Sequence, residues 1–194
     1  MEGNTLGQKI KSIFKKYSYY MLLGVLVLAV VLTIVIAGIT SGNKNSEKVE
    51  DVSVTVSPFL PVLNATIYKS YYGDELVYNQ TLKQWETHNG IDFQAASGSS
   101  VYSILDGKVV DVYSNILEGS VVVVEHDNGL VSTYSSLDDE VLVKQGDNVN
   151  RGQELGTISN TSASELDAGA HLHFSLTDNG NKINPASYLN IENK

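Results

Sequence analysis

Histidine is sparse in this chain, four residues in 194, and three of the four fall into two short segments. In His171-Leu172-His173-Phe174-Ser175-Leu176 the apolar residues alternate with His171, His173 and Ser175, the period of a strand with one buried face. Residues two apart on a strand are separated by ~6.5 Å, so both imidazoles project to one side. One can ligate a metal while the other stands beside the metal's water. In His88-Asn89-Gly90-Ile91-Asp92 a His and an Asp lie four apart around a Gly, where the chain can turn both side chains to one point. The two segments thus offer two imidazoles and one carboxylate as ligands, with one imidazole left over. Three protein ligands and an open position is the pattern of a catalytic zinc; structural zinc sites are closed. Either motif alone is common by chance. Both within one small domain are not.

These residues need a scaffold, and from Pro58 onward the sequence shows short strands with turns at steady intervals and little helical periodicity. Val101 to Leu105, the turn Asp106-Gly107 and Lys108 to Tyr113 read as a hairpin. Ser120 to Glu125, Asn128-Gly129 and Leu130 to Tyr134 repeat that pattern. Val141 to Val143 precedes Gly146-Asp147, and Leu155 to Ile158 precedes the polar loop 159–170, expected at the rim of the site. Such intervals predict a mainly β fold, an antiparallel β-sandwich or barrel-like sheet. The chain contains no Cys, which excludes a disulfide framework and a thiolate metal site, so any metal is held by nitrogen and oxygen.

The N-terminal part is of another kind. Residues 1–20 form a basic head with Lys9, Lys11, Lys15 and Lys16, and Met21 to Thr40 follow without a charge. As a helix those twenty residues span ~30 Å, the thickness of a bilayer's hydrocarbon. The lysines predict a cytoplasmic head and an extracytoplasmic remainder, with Tyr17, Tyr19 and Tyr20 at the interface. A signal peptide cleaved after Val35-Ile36-Ala37 is the alternative to an uncleaved anchor. Residues 41–56 read as a polar linker, and 57–190 as the folded domain. Beyond the head the chain carries nine basic against twenty-one acidic residues, an acidity that suits solubility and excludes nucleic acid as a partner.

The β region resembles the LytM or lysostaphin-like metallopeptidase domain, a duplicated hybrid motif fold, over Ser57 to Leu189. The likeness rests on His88-Asn89-Gly90-Ile91-Asp92, Asp106-Gly107-Lys108-Val109 and Val124-Glu125-His126-Asp127-Asn128-Gly129. It continues through Val149-Asn150-Arg151-Gly152-Gln153, His171-Leu172-His173-Phe174 and Ile183-Asn184-Pro185-Ala186-Ser187-Tyr188-Leu189. The resemblance implies Zn²⁺ on His88, Asp92 and His173, with His171 assisting the water, and cleavage of peptide cross-links in peptidoglycan. His126 is expected to be structural, at a strand-end turn. One position departs from the pattern: wall-cutting members carry Tyr-x-His-Leu where this chain has Tyr134-Ser135-Ser136-Leu137. Ser136 cannot offer a developing oxyanion the charge of an imidazolium, and losing such a stabiliser typically costs ~10²–10³ in rate.

Anchor, short neck and Ser136 together resemble the stage II sporulation Q family of endospore-forming bacteria. That likeness implies a single-pass protein of the forespore membrane. Its outer domain would dock a mother-cell membrane protein of the stage III AH type, as a channel or zipper, with weak or no peptidoglycan hydrolysis. An active zinc endopeptidase is the alternative function.

Overall fold

The computed structural model describes residues 6–41 and 57–191. The chain divides into two units, Met1–Val54 and Thr55–Lys194. In the first, a single helix, α1 (Leu6–Ser41), runs through both the lysine-bearing head and the apolar run. Its window Lys15–Thr33 has a mean hydropathy of 1.7 and no part of it is buried in protein. Leu22, Val25 and Leu28 are well exposed, which a core helix would not tolerate. The helix is long and apolar enough to cross a membrane. Of the expected linker, residues 42–56 lie outside the described residues.

The second unit holds β1 (Thr66–Lys69), β2 (Tyr72–Asn79), β3 (Gln84–His88), β4 (Ile91–Gln94), β5 (Ser100–Tyr102) and β6 (Gly107–Asn115). There follow β7 (Gly119–Glu125), β8 (Leu130–Leu137), β9 (Asn148–Val149), β10 (Glu154–Thr157), β11 (His171–Asp178), β12 (Asn181–Ile183) and a closing helix, α2 (Pro185–Leu189). The main sheet runs β1-β4-β11-β8-β7-β6-β9, with β12 also paired to β11, and two-stranded sheets β10-β5 and β2-β3 flank it. The pairings are antiparallel, as the turn spacing predicts.

Two local expectations fail. Residues 101–113 do not form a hairpin: β5 pairs with β10, while β6 pairs with β7 and β9. The segment between β5 and β6 bends instead of reversing, tied by Ser103 Oγ to Leu105 O (2.7 Å) and by Arg151 N to Asp106 Oδ1 (2.6 Å). Val141 to Val143 is not a strand; Leu142 N makes a single backbone bond to Leu155 O (2.9 Å), and Val143 is buried as a loop residue.

Strand β11 is the axis of the domain. One edge pairs with β4 and then β12, the other with β8. Its alternation buries Leu172, Phe174 and Leu176 completely on the core face. There Phe174 packs on Tyr134 (ring centroids 5.2 Å) and Phe93 (6.3 Å). Each such side chain contributes about 1.5–3 kcal/mol by leaving water, so the strand's position is fixed before its other face is considered.

Candidate metal centre

The opposite face of β11 carries His171 and His173. In the β4–β11 register His173 lies across from Asp92, and Asp92 Oδ1 sits 2.8 Å from His173 Nδ1. His88 ends β3, and the turn at Asn89-Gly90 returns the chain into β4 so that His88 Nε2 reaches the same Asp92 oxygen at 3.1 Å. The turn needs glycine for space. A Cβ on Gly90 would stand 2.6 Å from His173 Nε2 and 2.7 Å from the Phe174 carbonyl oxygen. His88 Nδ1 donates to Ser70 O (2.6 Å), which fixes the tautomer and leaves Nε2 free to face inward. His171 Nδ1 likewise donates to Gly169 O (2.8 Å).

One further residue enters from the loop 159–170. Glu165 places Oε1 3.5 Å from His88 Nε2, and Oε2 3.4 Å from His173 Nδ1 and 3.3 Å from His171 Nε2. His88, Asp92, Glu165 and His173 each offer one ligand atom, and these atoms lie within 4.8 Å of one another. The loop therefore lines the site, with Ser162 and Ser164 beside His173, and sends Glu165 into it. Sequence reasoning missed Glu165 because a loop has no periodicity to reveal where a side chain points. Its one signal was a carboxylate six residues before the His-x-His strand.

The electrostatics follow from burial. His88, Asp92 and His171 are almost fully buried, and desolvation alone would neutralise them. For His173 burial pushes downward, but bonds with Asp92 and Glu165 outweigh it and its pKa is pushed up to about 10. His88 and His171 are raised in the same way against burial, by Asp92 and Glu165 and by Glu165 respectively. Asp92 and Glu165, which burial would raise, are held below the usual carboxylate range by the facing imidazoles.

The donors suit a small dication. Ligands about 2.1 Å from a tetrahedral zinc lie about 3.4 Å from each other. His88 Nε2 and His173 Nδ1 are 3.3 Å apart, a separation natural for two ligands of one ion. Asp92 Oδ2 is also buried with no hydrogen-bond partner among the described residues, a cost that a neighbouring cation offsets.

Ser136 and His126 stand apart from the cluster. Ser136 is fully buried at φ +62° and directs its hydroxyl at Ser159 O (3.3 Å). His126, just after β7, joins Asp106 O (2.9 Å) and Ser132 Oγ (2.7 Å) in a separate network.

The sequence profile of peptidase family M23 matches residues 86–185, just over half of the chain, and the chain belongs to that family. The expected LytM-type fold and motif assignment agree with it. It is 30% identical to stage II sporulation protein Q of Bacillus subtilis over 78% of this chain and 57% of that protein. It is 37% identical to the peptidoglycan DD-endopeptidase ShyA of Vibrio cholerae over 53% of this chain, but only 23% of the enzyme. Among solved structures, the SpoIIQ-SpoIIIAH pore-forming complex aligns with a TM-score of 0.61 at 29% identity, covering 69% of this chain and 90% of that one. The chain thus spans less than two thirds of either curated relative.

Proposed function

We propose that this chain is a membrane-anchored, zinc-binding M23 domain whose role is docking: on the forespore membrane it engages a stage III AH-type protein of the mother-cell membrane. The observation that carries this reading is the alignment of the domain with nearly the whole of its counterpart in the SpoIIQ-SpoIIIAH complex. Ser136 in place of the second active-site His supports it. Titrating the full chain in detergent with the soluble domain of the AH-type protein from the same cell should give a defined complex. A folded chain that shows no binding would sink the docking role. The proposed order is a cytoplasmic head (1–20), an anchor (21–40), a linker (41–56) and an outer domain (57–190). External protease should then remove everything after about residue 41; a chain resisting it in right-side-out membranes would reverse the topology.

At the centre His88, Asp92 and His173 would hold zinc. Bound there, zinc would supply Lewis acidity that polarises a carbonyl and acidifies water. The chain's own contributions are distinct. Asp92 Oδ1 stands 3.1 Å from His88 Nε2 and 2.8 Å from His173 Nδ1, close enough to share one ion with both, and the Ser70 carbonyl sets the His88 tautomer. His171, oriented by Gly169 O, presents Nε2 to the site as the group that can hold or move a proton.

The alternative, an endopeptidase acting on peptidoglycan cross-links, is favoured by that same complete set of His88, Asp92, His171 and His173. Incubating the zinc-loaded chain with purified wall should then release new amino termini. None over days would remove this alternative and leave docking untouched.

A further inference from the structure

We propose that Glu165 is the fourth protein ligand of the metal centre and seals the position that an attacking water would need. The inference rests on the zinc reading above. Three ligands, His88 Nε2, Asp92 Oδ1 and His173 Nδ1, occupy three corners of a tetrahedron whose edges are 2.8 to 3.3 Å. A tetrahedral ion would leave one corner for a fourth ligand. Glu165 stands at it: Oε1 is 3.5 Å from His88 Nε2, Oε2 is 3.4 Å from His173 Nδ1, and one ligand atom from each of the four residues lies within 4.8 Å of the others. Its Oε2 is also 3.3 Å from His171 Nε2, between that imidazole and the other donors, which is where a nucleophilic water would stand.

The placement is built, not incidental. The Glu165 side chain is only 13% exposed. The loop before it is pinned by Ser162 Oγ (2.8 Å) and Ser164 Oγ (2.7 Å), both donating to Leu117 O. Asn79 Nδ2 donates to Ser164 O (3.0 Å) from the β2–β3 hairpin. After it, Asp167 is held by the Thr81 hydroxyl and by Tyr68 OH (3.0 Å). Asp92, buried, and Glu165, mostly buried, contact the same imidazoles and have no Lys or Arg among their hydrogen-bonding partners in the described residues, and one divalent ion would balance both. With four protein ligands the centre is of the closed, structural type, and the domain keeps a protease's ligands without its reactive position.

Cobalt(II) reports both coordination and solvent access, so the full chain in detergent is stripped of metal and loaded with Co²⁺. The wild type should show the intense visible absorption of a four-coordinate ion and negligible enhancement of water-proton relaxation. Glu165→Ala should raise that relaxation and weaken Zn²⁺ affinity, measured by competition, at least about tenfold. Glu165→Gln, which keeps an oxygen donor, should fall between. Strong water relaxation in the wild type itself would overturn the inference whatever the variants do, as would equal zinc affinity in wild type and a folded Glu165→Ala. A wild type that takes up neither metal would instead overturn the zinc reading, and this inference with it.

Discussion

His126 and His173 are packed into the same β domain, yet their surroundings push them in opposite directions. His126 meets a backbone carbonyl and a hydroxyl, Asp106 O and Ser132 Oγ, and burial drives its pKa below 6.5. Tyr134 OH, 3.1 Å from Ser132 Oγ, extends the same network and is itself pushed up to about 12 by burial. All of it is neutral. His173 is partly buried, but two carboxylates face it and it is pushed up to about 10. Burial alone therefore does not mark a functional histidine. What marks it is a buried anionic partner for which nothing in a merely structural role provides a reason.

The largest test of this contrast is His173→Ala. It should abolish zinc-linked stabilisation, which for the wild type at zinc a thousandfold above Kd amounts to about 4 kcal/mol, read as the lost rise in Tm on adding zinc. His126→Ala should instead destabilise the domain by about 1–3 kcal/mol by stranding buried polar partners, while denaturant titrations with and without zinc show the zinc increment unchanged. A zinc increment lost in both variants would erase the distinction.

Gly90→Ala touches both kinds of packing, since its Cβ would press on the His173 ring and on the Phe174 backbone. A loss of about 1–3 kcal/mol in stability is expected, with weakened zinc uptake in the same preparation.

The pH dependence should split the two regions further. His126 has a folded pKa below its ordinary value, so its contribution is full above about pH 6.5 and is lost as pH falls through the lowered value. His173 has a raised folded pKa, so its contribution is full below about pH 6.5 and is lost as pH rises toward about 10. Zinc competes with that proton, so zinc affinity should climb across the same upper window. His126→Gln should flatten only the acid side of the stability profile. The smallest effect on binding belongs to His171→Ala: metal analysis should find the wild-type zinc stoichiometry, while any wall hydrolysis disappears.

The legible part of the site was the part written in periodicity. Alternation along 171–176 separates the histidines from Leu172, Phe174 and Leu176, and the four-residue step around Gly90 brings His88 and Asp92 together. The apolar run in α1 was equally plain, because hydropathy needs no tertiary partner. What failed was non-local. Residues 101–113 look like a hairpin only while β10, some fifty residues on, is ignored as the partner of β5. Glu165 was hidden for a related reason: its position is set by Leu117 O, Asn79, Thr81 and Tyr68, none of them near it in sequence.

The place of β11 in the sheet also governs the order of events during synthesis. Both strands that form its long edges, β4 and β8, precede it in the chain, and β11 pairs between them. A ribosome therefore delivers the two outer strands well before the one that joins them, and their facing edges must wait unpaired in the meantime. The same strand brings His173 to His88 and Asp92, which left the ribosome more than eighty residues earlier. Until the segment after 171 has emerged and inserted, the nascent chain has neither a continuous sheet nor anywhere to keep an ion.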